Sequence, residues 1–283
     1  MYSTLISATE LAANLCRADW LSIDCRFDLA KPDAGEAAYR AGHVPGALYA
    51  HLDRDLAGPI TAHTGRHPLP DPERFAATLS RWGIAADTQV VVYDADTSAH
   101  AARLWWMLRW VGHRTVAVLD GGYKTWLSAG LPVSAEIPTR TTTRFEARPD
   151  RSLWVDADEL AARLQQGWRL LDARAPERFA GKVEPIDSVA GHIPGAVNHP
   201  LTTNLGSDAH FLPAEELRRR FESSQQHVGN EHTIAMCGSG VTACHLLLAM
   251  EIAGKPGARL YAGSWSEWIR GASRPVKREG DRG

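Results

Sequence analysis

Four stretches of the amino-acid sequence recur in the same order at a nearly constant offset, and this internal duplication constrains the fold more than any other feature. Residues 7–15, SATELAANL, return as residues 156–164, DADELAARL. Asp24-Cys25-Arg26 returns as Asp172-Ala173-Arg174, and residues 42–47, GHVPGA, return as residues 191–196, GHIPGA. Finally, residues 121–126, GGYKTW, align with residues 263–268, GSWSEW. The first repeat reads as a helix start in both copies, with Ser7 or Asp156 as the cap and a glutamate three residues on to complete a capping box.

At 283 residues the chain fits two domains of about 100 to 200 residues each. A polar stretch without regular periodicity, residues 134–144, separates the copies and reads as linker. The expected organisation is a first domain over residues 1–135, a linker over 136–150 and a second domain over 151–283. Within each half, short apolar runs alternate with amphipathic helical stretches. Residues 20–23, 90–93 and 115–119 read as buried strands, with helices expected over 72–82, 99–111 and 123–129. The second half repeats the strands near 169–171, 233–236 and 259–261. This alternation predicts an α/β fold in which each domain is a parallel sheet covered by helices on both faces.

In such sheets, sites form beyond the carboxyl ends of strands. The segment after Met236 reads Cys237-Gly238-Ser239-Gly240-Val241-Thr242 and leads into an apolar helix. Glycines let the backbone turn its N–H groups inward, and the helix start adds partial positive charge, so an anionic sulfur would be stabilised there. The plainer alternative is that Cys237 is a small buried apolar residue. A cysteine phosphatase needs an arginine six positions after its nucleophile to clamp phosphate oxygens, and that position is Ala243. Composition narrows the classes further. A formal charge of -2 offers no basic surplus for nucleic acid. No run of about 20 apolar residues is present to span a membrane, and the N-terminus has no leader-like pattern, so a cytoplasmic location is expected. Four cysteines are too few for a disulfide scaffold, and no CxxC pair, clustered ligand set or GxGxxG suggests a metal or nucleotide cofactor.

The paired GHxPGA motifs, the GGYKTW and AGSWSEW stretches, and CGSGVT opening a helix resemble the tandem rhodanese-domain sulfurtransferases over essentially the whole chain. That resemblance implies two rhodanese-like domains of which only the second is catalytic. The first-domain match to Cys237 is Asp94, and a carboxylate cannot carry sulfane sulfur. It further implies double displacement: the Cys237 thiolate takes sulfur from a donor, forming a persulfide, and an acceptor removes it. Backbone amides of Gly238, Ser239, Gly240, Val241 and Thr242 would cradle the persulfide. Gly238-Ser239-Gly240 resembles the loop of 3-mercaptopyruvate sulfurtransferases rather than the basic loop of thiosulfate sulfurtransferases. The expected donor is therefore 3-mercaptopyruvate, with thiosulfate as the alternative and a low-turnover sulfur-carrying module as a reading of another class.

By the same resemblance Ser239 joins a relay with His67 and Asp53, with His51, Asp55 and His63 as nearby competitors. Arg178 matches the arginine that grips the donor carboxylate, and Arg174 lies close enough in sequence to line the pocket. A second carboxylate-binding arginine is expected ahead of the GHIPG motif, but that region reads Val183-Glu184-Pro185-Ile186-Asp187. His43 and His192, present in both halves, read as structural, as do the Asp24-Arg26 and Asp172-Arg174 pairs. The remaining expectations are a small-molecule sulfur donor, a thiol acceptor such as thioredoxin or glutathione, or cyanide, no cofactor, no metal, no nucleic acid or membrane partner, and a monomer.

Overall fold

A computed structural model describes residues 1–280. The described residues form two compact units. Unit 1 comprises Met1–Gly58, Leu69–Asp150 and Leu205–Phe211, and unit 2 comprises Pro59–Pro68, Arg151–Asn204 and Leu212–Gly283.

Unit 1 is built on strands β1 (Leu5–Ile6), β2 (Trp20–Asp24), β3 (Leu48–Tyr49), β4 (Gln89–Tyr93) and β5 (Val116–Leu119). They pair in the order β1-β5-β4-β2-β3, all parallel, with Ile23 opposite Val92 and Val92 opposite Val118. Every residue of β4 is buried, as a central strand covered on both faces requires. One face carries Val91, Tyr93, Ala117 and Leu119, which pack with Leu11, Tyr123 and Trp126 from the helices Ala8–Ala12 and Gly122–Ser128. Val90, Val92, Val116 and Val118 point to the other face and are equally buried, with the helix Ala101–Trp110 packed on β4 and β5.

Unit 2 repeats the plan with β6 (Trp154–Val155), β7 (Arg169–Asp172), β8 (Ala196–Asn198), β9 (Thr233–Met236) and β10 (Arg259–Tyr261), in the order β6-β10-β9-β7-β8, again parallel. Ile234, Met236 and Tyr261 pack with Leu160, Trp265 and Trp268 on one side, while the apolar helix Ala243–Ile252 packs on β9 and β10. The α/β fold of two duplicated parallel sheets is thus the one expected from the repeats. The capping boxes at Ser7 and Asp156 are formed as well.

The units do not follow the sequence boundaries drawn above. Residues 136–150, expected as linker, belong to unit 1, where the N–H groups of Thr143, Arg148 and Asp150 donate to Ser80, Val111 and Trp110 carbonyls at 3.0, 2.9 and 2.8 Å. A polar stretch without periodicity is thereby fixed by backbone hydrogen bonding rather than by an apolar face. Pro59–Pro68 belongs to unit 2, and Leu205–Phe211 to unit 1.

A buried ion pair recurs at the end of the second strand of each sheet. Arg174 donates to both carboxylate oxygens of Asp172, at 2.7 to 3.1 Å, and to the Gly191 carbonyl at 2.8 Å, beneath the ring of Trp265. Arg26 makes the same contacts with Asp24 and Gly42 beneath Tyr123. The pair therefore pins the GHxPGA turn to the strand end. His43 and His192 complete that turn: their Nδ1 atoms bond the Tyr39 and Phe179 carbonyls at 2.7 and 2.8 Å, and their rings stack on the same two residues at 4.0 Å. Because Asp172 is fully buried, Arg174→Met should cost about 3–5 kcal/mol. The expected readout is a lower urea midpoint, with part of the loss recovered by adding Asp172→Asn.

Candidate active site

β9 ends against the sheet's carboxyl edge, and the chain turns there because three glycine and serine backbones allow it. The Cys237 N–H donates to Ser264 Oγ at 3.1 Å, and the Gly240 N–H donates to Cys237 Sγ at 3.1 Å. The carbonyls of Cys237 and Gly238 accept from Trp265 and Ser266 N–H at 3.0 and 2.9 Å, so the loop is sewn to the start of the helix Ser264–Trp268. Gly240 sits at φ +79, and a Cβ there would lie 2.2 Å from the Ala262 carbonyl oxygen. Only glycine fits. Val241 is buried, and Thr242 precedes the helix Ala243–Ile252, whose N-terminus faces the loop. Cys244, fully buried, donates its thiol to the Gly240 carbonyl at 3.3 Å and so braces the turn from below.

Unit 1 holds the same turn with different contents. The Asp94 and Ala95 carbonyls accept from Tyr123 and Lys124 N–H at 2.8 and 2.9 Å, matching the contacts of Cys237 and Gly238. The Asp94 carboxylate then accepts three backbone N–H groups, from Ser98 at 2.9 Å, His100 at 2.8 Å and Ala101 at 3.1 Å. The Asp94 side chain thus stands in this turn where unit 2 has the Cys237 sulfur. The buried Cys25 nearby has its thiol pushed well up by burial and by the carboxylates of Asp24, Asp94 and Asp55, which disfavours a thiolate there.

Around the Cys237 loop, Ser239 Oγ and His67 Nδ1 share a hydrogen bond of 2.7 Å, both groups buried. His67 reaches Ser239 from the segment Pro59–Pro68, which belongs to unit 2 although it lies 172 residues away in sequence. The same segment is held by Arg66 N–H donating to Ser266 Oγ at 3.0 Å and by Arg270 donating to the Thr61 carbonyl at 2.6 Å. Asp53 belongs to unit 1, in the short helix Leu52–Asp55, where its N–H donates to His51 Nδ1 at 3.1 Å. Of the competing residues, Asp55 accepts the His51 N–H at 2.9 Å, and His63 donates its N–H to Thr61 Oγ1 at 3.2 Å.

Two guanidinium groups lie over the loop. A Cβ placed on Gly238 would meet Arg66 Nη2 at 3.0 Å and Arg178 Nη1 at 3.6 Å. Arg178 donates to Glu184 at 2.7 and 3.2 Å and to Asp187 at 3.1 Å, and Arg66 pairs with the other oxygen of Asp187. Burial raises the Asp187 carboxyl above the usual aspartate range, against the pull of Arg66 and with a push from Glu184. For Glu184 burial also works against the anion, but hydrogen bonds from Arg178 and from the Asp187 backbone outweigh it and hold its carboxyl low. Arg174 does not share this open position: its side chain is 1% exposed and committed to Asp172 and Gly191, with Glu184 at 3.6 Å.

Sequence reasoning passed over Arg66, Ser264, Glu184 and Asp187 as parts of the site. Arg66 adjoins His67, which is the only signal it offered, and Ser264 stands in the duplicated GSWSEW stretch where the first copy has Gly122.

Residues 7–129 and 156–270 match the family model of the rhodanese-like domain, and the chain belongs to that family. It is 51% identical over 275 residues to a Pseudomonas aeruginosa protein named "Probable 3-mercaptopyruvate sulfurtransferase", covering 96% of this chain and 97% of that one. It is 40% identical over 242 residues to the thiosulfate sulfurtransferase of Rattus norvegicus, covering 83% of this chain and 80% of the relative. Among solved structures, the Escherichia coli 3-mercaptopyruvate sulfotransferase SseA superposes with a TM-score of 0.81 at 31% identity, over 94% of this chain and all of that one.

Two variants test the turn itself. Gly240→Ala should cost about 1–3 kcal/mol in urea unfolding, because φ +79 and the Ala262 carbonyl leave no room for the methyl group. Ser264→Ala leaves the buried Cys237 N–H without an acceptor and should cost about 1–3 kcal/mol in urea unfolding.

Proposed function

We propose that the chain is a sulfurtransferase that moves sulfane sulfur from 3-mercaptopyruvate to a thiol or cyanide through a persulfide on Cys237. The observation that carries this reading is the Cys237 sulfur held at the end of β9 with the Gly240 N–H on it at 3.1 Å. The Gly240 N–H and the start of the helix Ala243–Ile252 are placed to hold the outer sulfur of a persulfide. The relatives named as sulfurtransferases support the same chemistry.

In the first half-reaction the Cys237 thiolate attacks the donor sulfur. An S–S bond forms, the donor's C–S bond breaks, and its electron pair goes to the enolate of pyruvate, which takes up a proton. The Ser239 hydroxyl, bonded to His67 at 2.7 Å, is suited to deliver that proton, and Arg178 to grip the donor carboxylate. In the second half-reaction an acceptor thiolate, from thioredoxin or glutathione, or cyanide, attacks the outer sulfur and returns Cys237 as the thiolate. Thiosulfate is the second donor to consider, favoured by the relatives that bear its name and by the lack of a second donor-binding arginine among residues 183–187.

Intact-protein mass spectrometry after brief exposure to each donor is the direct test. A gain of one sulfur atom that Cys237→Ser abolishes is expected, with 3-mercaptopyruvate loading faster than thiosulfate. No gain with either donor would remove the enzyme reading and leave the binding-module reading standing. For the relay, Ser239→Ala and His67→Ala are each expected to lower kcat with 3-mercaptopyruvate by roughly 100-fold, and the double variant no further, since the two act as one unit.

A further inference from the structure

The loop Gly238-Ser239-Gly240 brings no charge of its own to the reacting sulfur, yet the space beside Gly238 is filled by two guanidinium groups from elsewhere in unit 2. Arg178 comes from the short helix Pro176–Phe179 and Arg66 from the segment Pro59–Pro68. Their counter-ions, Glu184 and Asp187, have side chains only 4% exposed. Two cations and two anions leave the cluster neutral as it stands. Arg66 Nε is buried and has no hydrogen-bond partner among the described residues. An orphaned charged donor in that position costs free energy until a ligand oxygen supplies the acceptor. Asp187, held by both arginines and made costly as an anion by burial, is the weaker of the two resident carboxylates.

We propose that Arg66 and Arg178 together seat the anionic end of the sulfur donor, that Asp187 holds both guanidinium groups when no donor is bound, and that Asp187 sets the preference for a singly over a doubly charged donor. The inference rests on the sulfurtransferase reading above. A donor carboxylate beside Gly238 meets Arg66 Nη2 and the free Nε on one edge of the guanidinium, a planar two-point contact, with Arg178 Nη1 next to it, and so weakens the hold of Asp187 on Arg66 Nη1. A dianion entering the same seat meets an unchanged negative charge on Asp187 and is repelled about twice as strongly as a monoanion.

The test uses the full chain with Arg66→Ala, Arg66→Lys and Asp187→Asn. Readouts are steady-state kinetics with 3-mercaptopyruvate and thiosulfate, and protection of Cys237 from iodoacetamide by pyruvate and by sulfite. Arg66→Ala should raise KM for both donors by roughly 10- to 100-fold, with kcat changed less than about threefold, and Arg66→Lys should recover part of the loss. Asp187→Asn should lower KM for thiosulfate at least about threefold more than for 3-mercaptopyruvate, in the direction of its lost charge. An unchanged KM in Arg66→Ala, or an equal shift for both donors in Asp187→Asn, would overturn the proposal. If the native chain accepts sulfur from neither donor, the sulfurtransferase reading fails. The anion seat is then judged by protection alone: pyruvate must protect the native chain and not Arg66→Ala. The rate of iodoacetamide reaction without added anion shows whether the cradle of each variant has stayed folded.

Discussion

A run of alternating charges passes from the core of unit 2 to the reacting sulfur, and the geometry of the site hangs on it. Asp172, at the end of β7 and fully buried, holds Arg174, and Arg174 lies 3.6 Å from Glu184. Glu184 orients Arg178 at 2.7 Å, Arg178 reaches Asp187 at 3.1 Å, and Asp187 holds Arg66 beside the Cys237 loop. Asp172, Arg174, Glu184 and Asp187 are nearly inaccessible to water and would be costly alone, while Arg178 and Arg66 form the more open end of the series. The result is a rigid line from a strand end to the two guanidinium groups, with side chains locked by pairing rather than by apolar packing. Such a network fixes position more than it adds stability.

The duplicated sheets show how one backbone serves two ends. Both units turn sharply after their central strand, and both attach that turn to the following helix by the same pair of hydrogen bonds. In unit 1 the Asp94 carboxylate accepts three backbone N–H groups there. In unit 2 the chain places a thiol there instead, with Gly240 at φ +79 bringing its N–H onto the sulfur. The same backbone turn thus holds a carboxylate in one copy and a cysteine sulfur in the other. The buried thiol of Cys25, among three carboxylates, is in the opposite environment.

Much of this was legible in the amino-acid sequence, because repeats and strand-loop-helix order are local properties. The offset motifs fixed the duplication, the buried apolar runs fixed the parallel sheets, and strand-end chemistry pointed to the segment after Met236. Single-residue boundaries shifted slightly, as for the helix expected over 99–111 that runs Ala101–Trp110, since end residues are decided by caps and not by periodicity. His67 entered only through family resemblance, and nothing in its surroundings announced a partner at Ser239. Arg174 was read as a pocket residue from its spacing to Arg178, whereas packing under Trp265 turns it inward to Asp172.

By itself, then, the sequence determined the duplicated α/β architecture and the loop that carries Cys237 in the second copy where the first has Asp94. The tertiary structure alone decided which residues share a unit. Pro59–Pro68 lies in the first half of the chain and yet packs with unit 2, bringing Arg66 and His67 to a loop more than 170 residues away. The physical reason is that these contacts join polar side chains through hydrogen bonds and ion pairs. Such contacts leave no hydrophobic period along the chain, and only the folded backbone sets their distances and directions.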